Sequence, residues 1–193
     1  MNVRVIRVDG ATPQRWRNGG GLTRELLAWP SVEAWRLRVS VADIESDGPF
    51  SSFPGVERWF TVLDGSGVEL TVGGTAHRLT RASLPLRFDG EAPTVCRLLD
   101  GPTRDLNLML RGVRGGMFRA EAGQPWRPRA AQCGLFAAVA GRCVGAAAFS
   151  TPAASLLWFD EAPASLVFDP ADADATAIGW WLAATPQEHR AWA

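Results

Sequence analysis

Ten consecutive residues, Trp16-Arg17-Asn18-Gly19-Gly20-Gly21-Leu22-Thr23-Arg24-Glu25, put a large aromatic ring, three glycines and a short polar and charged array side by side. Asn18, Thr23 and Arg24 offer hydrogen-bond donors, Glu25 offers a carboxylate, and the glycines allow a ligand or a second backbone to approach closely. Each glycine costs up to about 1 kcal/mol relative to alanine through chain entropy, so the triplet needs a compensating reason. Two readings supply one. The first is a ligand-facing turn with Trp16, Asn18, Gly19, Gly20, Thr23, Arg24 and Glu25 as binding residues; the second is a bulged hairpin that only reverses the chain.

A second dense segment, Asp47-Gly48-Pro49-Phe50-Ser51-Ser52-Phe53-Pro54-Gly55-Val56-Glu57-Arg58, runs into the apolar stretch Trp59 to Leu63. Its prolines and glycines restrict its path, so Phe50 and Phe53 would form an apolar wall beside the Arg58 guanidinium. That combination suits a small organic acid, because arginine grips a carboxylate through two parallel hydrogen bonds. The competing reading has the phenylalanines plug a barrel end while Arg58 pairs with Asp47 or Glu57. In a third segment, Asp100-Gly101-Pro102-Thr103-Arg104-Asp105-Leu106-Asn107-Leu108-Met109, Asp105 and Asn107 share one face of an extended chain. They either point into a pocket or satisfy nearby backbone groups.

Other chemistries find little support. His77 and His189 are the only histidines and belong to no H-x-H or H-x-x-x-H pattern, so no metal site is expected; both read as surface residues. The acidic run Asp169 to Asp174 lacks the glycine and closing glutamate of a calcium loop and reads as a solvated turn. No serine lies in G-x-S-x-G, and no cysteine has a histidine beside it. The chain contains no lysine, which removes the phosphate-gripping lysine of a P-loop. No catalytic residue and no cofactor is assigned.

These segments need a scaffold, and composition indicates its kind. The 193 residues carry a 47% hydrophobic share and 20 basic against 20 acidic side chains. Zero net charge without a basic cluster argues against a polynucleotide partner. The N-terminus alternates polar and apolar residues and has no long apolar core for export. The most lipid-like stretch, Ala130 to Phe149, is broken by Gln132 and Arg142 and reads as two buried strands, not a membrane span. Cys96, Cys133 and Cys143 form no C-x-x-C pair and suit a reducing, cytoplasmic setting as buried free thiols.

Short apolar or alternating runs recur throughout, punctuated by glycine, proline and aspartate. They predict strands at Val3 to Val8, Trp35 to Ala42, Arg58 to Leu63, Val68 to Val72, Ala76 to Leu79, Pro85 to Phe88, Val95 to Leu99 and Leu106 to Arg111. A second series follows at Leu135 to Val139, Arg142 to Phe149, Ser155 to Phe159, Ser165 to Phe168 and Ile178 to Ala184. Asp64-Gly65-Ser66-Gly67, Gly73-Gly74 and Asp89-Gly90 suit tight hairpins. Helical turns are expected only at Pro13 to Trp16, Pro30 to Ala34 and Pro186 to Ala193. The pattern is all-β, with two similar barrels: residues 1–111 carrying the three motifs and 112–193 following, with Gly112 to Pro128 as the soft boundary and an exchange of strands between barrels left open. A free barrel edge would allow a homodimer.

The three segments, in this order and separation, resemble the HutD/Ves family, whose members carry W-x-N-G-G-G-x-T-x-E-like, D-G-P-F-S-x-F-P-G-x-x-R-like and D-x-N-x-M-like motifs. The resemblance covers most of residues 1–111; Glu57 stands where aspartate is frequent. It implies a cupin-like (RmlC-like) jelly roll with two β barrels in one chain, a bicupin, and a link to bacterial histidine utilisation. On the motif positions the implied ligand set is Trp16, Asn18, Gly19, Gly20, Thr23, Glu25, Asp47, Phe50, Phe53, Arg58, Asp105 and Asn107, to which Arg24, between Thr23 and Glu25, is added as a further donor. The expected function is a cytoplasmic regulator that senses a carboxylate intermediate, such as urocanate or formylglutamate, in a metal-free pocket, without nucleic acid or membrane partners. The alternatives are a metal-independent cupin isomerase or hydrolase using Glu25 or Asp47 as general base, and an interaction module with a vestigial pocket.

Overall fold

The computed structural model describes residues 2–172, 174 and 177–187, and every regular element among them is a strand. The first half contains β1 (Val3–Arg7), β2 (Pro13–Arg15), β3 (Gly21–Trp29), β4 (Leu37–Ile44), β5 (Gly48–Pro49), β6 (Glu57–Asp64), β7 (Val68–Val72), β8 (Thr75–Leu79), β9 (Leu86–Asp89), β10 (Thr94–Leu98) and β11 (Thr103–Leu110). The second contains β12 (Val113–Arg119), β13 (Gln132–Ala137), β14 (Gly141–Val144), β15 (Ala148–Thr151), β16 (Ser155–Phe159), β17 (Val167–Pro170) and β18 (Gly179–Pro186). Only one of the three expected glycine hairpins joins paired strands: Asp64 to Gly67 and Asp89-Gly90 instead carry the chain from β6 to β7 and from β9 to β10, which lie in different sheets. Gly73 and Gly74 take φ of 53° and 87° and join β7 to β8 in a two-residue hairpin, a conformation that disfavours side chains.

Four sheets stack as layers. A four-stranded sheet (β5-β10-β7-β8) covers one face of a six-stranded sheet (β2-β3-β4-β11-β6-β9), and Ile44, Phe60, Val62, Val68, Leu70 and Cys96 pack between them. The other face of the six-stranded sheet meets a five-stranded sheet (β1-β16-β13-β18-β12) across Leu37, Val39, Val41, Leu106, Leu108, Trp158, Trp180 and Leu182. A three-stranded sheet (β15-β14-β17) closes the far side over Leu135, Cys143, Leu157, Phe159 and Phe168. The inner sheets are thus buried on both faces, which explains the nearly continuous apolar runs of β13, β16 and β18. β1 pairs with β16 over five residues, so the N-terminal strand lies in the sheet of the second half.

Several sequence expectations need correction. Pro13–Arg15 is a strand paired with β3, not a helical turn, and residues 30–34 form bends and a turn, not helix. The strand β3 was hidden in the motif segment, because Gly21, Thr23, Arg24 and Glu25 look unlike strand residues until their partners on β4 are known. Gly112 to Pro128 carries the strand β12, and Arg142 to Phe149 divides into the hairpin β14–β15. Pro186 ends β18; residues 188–193, including His189, lie outside the described residues. The three cysteines are free and buried, and burial pushes each thiol up to about 12. No helix among the described residues is long and apolar enough to cross a membrane.

Candidate ligand-binding site

The period-two alternation of β4 builds the site. Leu37, Val39 and Val41 point into the core between the two inner sheets, so Arg38, Ser40, Ala42 and Ile44 must face the other side of the six-stranded sheet, the side that the four-stranded sheet covers. Neighbouring strands extend that face in register: Thr23 lies opposite Ala42 on β3, Glu25 opposite Ser40, and on β11 Asn107 opposite Ser40 and Met109 opposite Arg38. A β-bulge between Glu25 and Leu27 lets Leu26 and Leu27 both be buried while Glu25 keeps its place on the inner face. Together with the Trp16 and Phe50 segments these strands enclose a cavity of about 750 Å³.

Seven of the expected residues line this cavity: Trp16, Asn18, Thr23, Phe50, Phe53, Arg58 and Asn107. Trp16 Nε1 donates to Thr23 Oγ1 at 2.7 Å, and its ring meets Phe50 edge-on, which fixes one wall. Gly19 and Gly20 shape that wall from behind. Gly19 takes a φ of 73° and donates to Trp16 O, while Gly20 N donates to Asn18 Oδ1 and Gly20 O accepts from Glu45 N and Ser46 N. Gly21 is needed for a different reason: a Cβ there would sit 2.3 Å from the carbonyl oxygen of Asp43. The triplet therefore closes the hairpin and holds Trp16 and Asn18 at the mouth.

Arg58 occupies the cavity floor with 7% exposure. Its Nη2 donates to Asn107 Oδ1 at 3.2 Å, its Nε has no partner, and its Cζ lies 5.0 Å from the ring centroids of Phe50 and Phe88 and 5.6 Å from Phe53. No carboxylate pairs with it among the described residues. The pairing with Asp47 or Glu57 considered from sequence does not occur: Asp47 Oδ1 accepts from Leu98 N, and Glu57 accepts from Trp59 Nε1 and Arg87. Burial, and then the nearby Arg38 guanidinium, lower the Arg58 pKa to about 10. Phenylalanine faces compensate part of that cost, since their quadrupoles attract a cation.

The remaining expected residues lie elsewhere. Arg24 is on the opposite face of β3 from Thr23, where it and Arg104 bind Asp43; burial alone would raise the Asp43 carboxyl, but the two arginines hold it below the usual range. Glu25 is on the inner face yet serves Arg38, its Oε2 lying 2.8 Å from Arg38 Nε. Asp47 is on the neighbouring loop outside the cavity wall. Asp105 is fully buried beyond Asn107, where burial raises its carboxyl well above the ordinary range, against a hydrogen bond from Thr103 and with help from the Asp43 charge. Among the described residues no three histidine, cysteine, aspartate or glutamate side chains cluster as a metal would require.

Arg38, Ser40 and Phe88 are the main residues that sequence reading missed. Arg38 and Ser40 carry a usable signal, because polar residues alternating with Leu37, Val39 and Val41 must occupy the other face of the strand. Phe88 carries none, since it reaches Arg58 only through the β6–β9 pairing.

Comparison with known proteins places this geometry among relatives. A family model described as HutD matches residues 9–161. The chain is 37% identical over 109 residues to an uncharacterized 21.2 kDa protein in the hutC 3' region of Pseudomonas putida, covering 55% of this chain and 57% of the relative. It is 40% identical over 100 residues to the protein Ves of Cronobacter sakazakii, covering 51% and 55%. The chain thus spans little more than half the length of the curated relatives it matches. The solved structure of HutD from Pseudomonas fluorescens SBW25 superposes with a TM-score of 0.83 over 97% of this chain and 100% of that one, at 26% identity. The shared architecture is all-β and cupin-like.

Proposed function

The chain belongs to the HutD family, and from that premise we propose that it is a histidine-utilisation protein whose first barrel binds a small carboxylate and thereby regulates the pathway. One observation carries the reading: among the described residues, Arg58 is a buried guanidinium with an unpartnered Nε, one neutral hydrogen-bond acceptor and no counter-ion. A protein that keeps an uncompensated charge in an aromatic cage lowers its own stability unless an anion completes the site. A planar carboxylate meets the guanidinium through two parallel hydrogen bonds, with the rings of Phe50 and Phe53 packing against its carbon skeleton. Trp16, Asn18 and Thr23 form the mouth through which it enters.

The pathway named by the family offers urocanate and the formylated and formiminated glutamates as ligands of this class. The Glu25–Arg38 pair is internally neutral, so Arg58 is the uncompensated charge on the cavity floor, and Arg15 and Arg17 add further positive charge to the lining. Binding to the native state alone stabilises it by about 2.7 kcal/mol at a hundredfold excess over Kd. Thermal-shift titration of urocanate, formylglutamate and formiminoglutamate therefore tests the reading directly. At least one should raise the melting temperature saturably, and flat curves across the set would count decisively against it.

A further inference from the structure

The five-stranded sheet faces a sheet of only three strands, so the smaller one leaves the β12 side of the larger uncovered. Residues 121–131 cross this gap, anchored by reciprocal backbone hydrogen bonds between Trp126 and Leu166 and by Trp126 stacking on Trp181 at 4.8 Å with 7° between ring planes. Between this segment and β12 lies a cleft of about 540 Å³. Arg114 and Phe118 project into it from one face of β12, and Trp126, Arg127 and Arg129 close it from the other side. It shares no residue with the first-barrel cavity.

The electrostatics of this cleft are unbalanced. Several arginines elsewhere meet acids, as in Arg4–Asp160, Arg38–Glu25, Arg87–Glu57 and Arg97–Glu69. Arg114, Arg127 and Arg129 make no ion pair and no hydrogen bond among the described residues, and no acidic side chain lines the cleft. Three like charges from two separate elements repel one another unless an anion lies between them. The walls are aromatic as well as cationic: Phe118 is 47% exposed, and Trp126 has the buried Trp181 stacked behind it, which leaves its ring rigidly held beside the cleft.

We propose that this cleft is a second binding site, for a small polyanion carrying a flat ring system, the chemistry of a nucleoside diphosphate. Guanidinium groups bind phosphate oxygens through paired hydrogen bonds, and two to three negative charges match three arginines. The ring stacks against Trp126 or Phe118, as bases do on aromatic side chains. The volume falls within the range of small-molecule pockets.

The test titrates the full chain with ADP, inorganic pyrophosphate and adenosine, reading tryptophan fluorescence and calorimetry. ADP should bind saturably and more tightly than either fragment, and added salt should weaken it as exposed charges are screened. The double variant Arg127→Ala/Arg129→Ala should lose roughly tenfold or more in ADP affinity, while Arg142→Ala, an exposed arginine on β14, should not. These side chains have no partners among the described residues, so an unchanged thermal melt of the double variant separates lost binding from lost structure. The absence of saturable ADP binding, or equal ADP affinity in the double variant and Arg142→Ala, would overturn the site; pyrophosphate binding as tightly as ADP would overturn its ring-bearing ligand.

Discussion

Replacing Arg58 by methionine should make the unliganded protein slightly more stable and deaf to carboxylates. The fall of the Arg58 pKa from the ordinary arginine range to about 10 corresponds to about 3 kcal/mol held against the charged form in the folded state. At neutral pH the folded and unfolded chains both carry the proton, so the whole penalty is present. It is relieved only as pH climbs above about 10, where the folded chain has released its proton and the unfolded chain has not. Against this stand the three phenylalanine faces, at about 0.5 kcal/mol or more each, and the hydrogen bond to Asn107, worth about 1 kcal/mol. The net gain for Arg58→Met is then about 0.5 kcal/mol, which for a chain of this size raises Tm by about 1–2 °C. In the wild type, saturating carboxylate should add about 5–10 °C on the same scale, and the variant should show none of it. Differential scanning calorimetry with and without ligand reads both quantities in one experiment. A variant that melts several degrees lower without ligand, or that keeps the ligand shift, would show that Arg58 is a structural cation and not the anion-binding group.

Three further perturbations probe the surroundings. Glu25→Gln removes the charge that neutralises Arg38 and should raise carboxylate affinity by roughly threefold to tenfold in calorimetry at low salt; unchanged affinity would place Arg38 outside the ligand's field. Asp105→Asn removes a carboxyl that holds its proton in the folded state after the unfolded chain has lost it, so wild-type stability should decline as pH rises above about 4. The variant should lack that decline, and parallel Tm–pH curves for the two proteins would exclude it. Gly21→Ala drives a Cβ against the Asp43 carbonyl and should cost about 1–3 kcal/mol, whereas Gly20→Ala meets only the Ser46 and Asn18 side chains at 3.3 and 3.4 Å and should cost less in the same denaturant titration.

Much of this protein is written locally in its residues. Alternating apolar runs and glycine turns are enough to establish an all-β chain, because side-chain period and positive-φ tolerance are properties of a few adjacent residues. The three motif segments likewise expose Trp16, Phe50, Phe53, Arg58 and Asn107, since dense polar and aromatic residues beside glycine and proline are costly without a use. Tertiary structure decided which of their neighbours face the cavity. Thr23 faces inward and Arg24 outward because they are adjacent on one strand, and only the register with Ala42 and Val41 tells which is which. Pairing also put β1 beside β16 across more than 150 residues of sequence separation and brought Phe88 to Arg58, contacts for which no local pattern exists. The solitary charge of Arg58 belongs to the same class of fact. A sequence holding 20 basic and 20 acidic side chains looks balanced, and only folding, by spending Glu25 on Arg38, Asp43 on Arg24 and Glu57 on Arg87, leaves one guanidinium on the cavity floor without an acid.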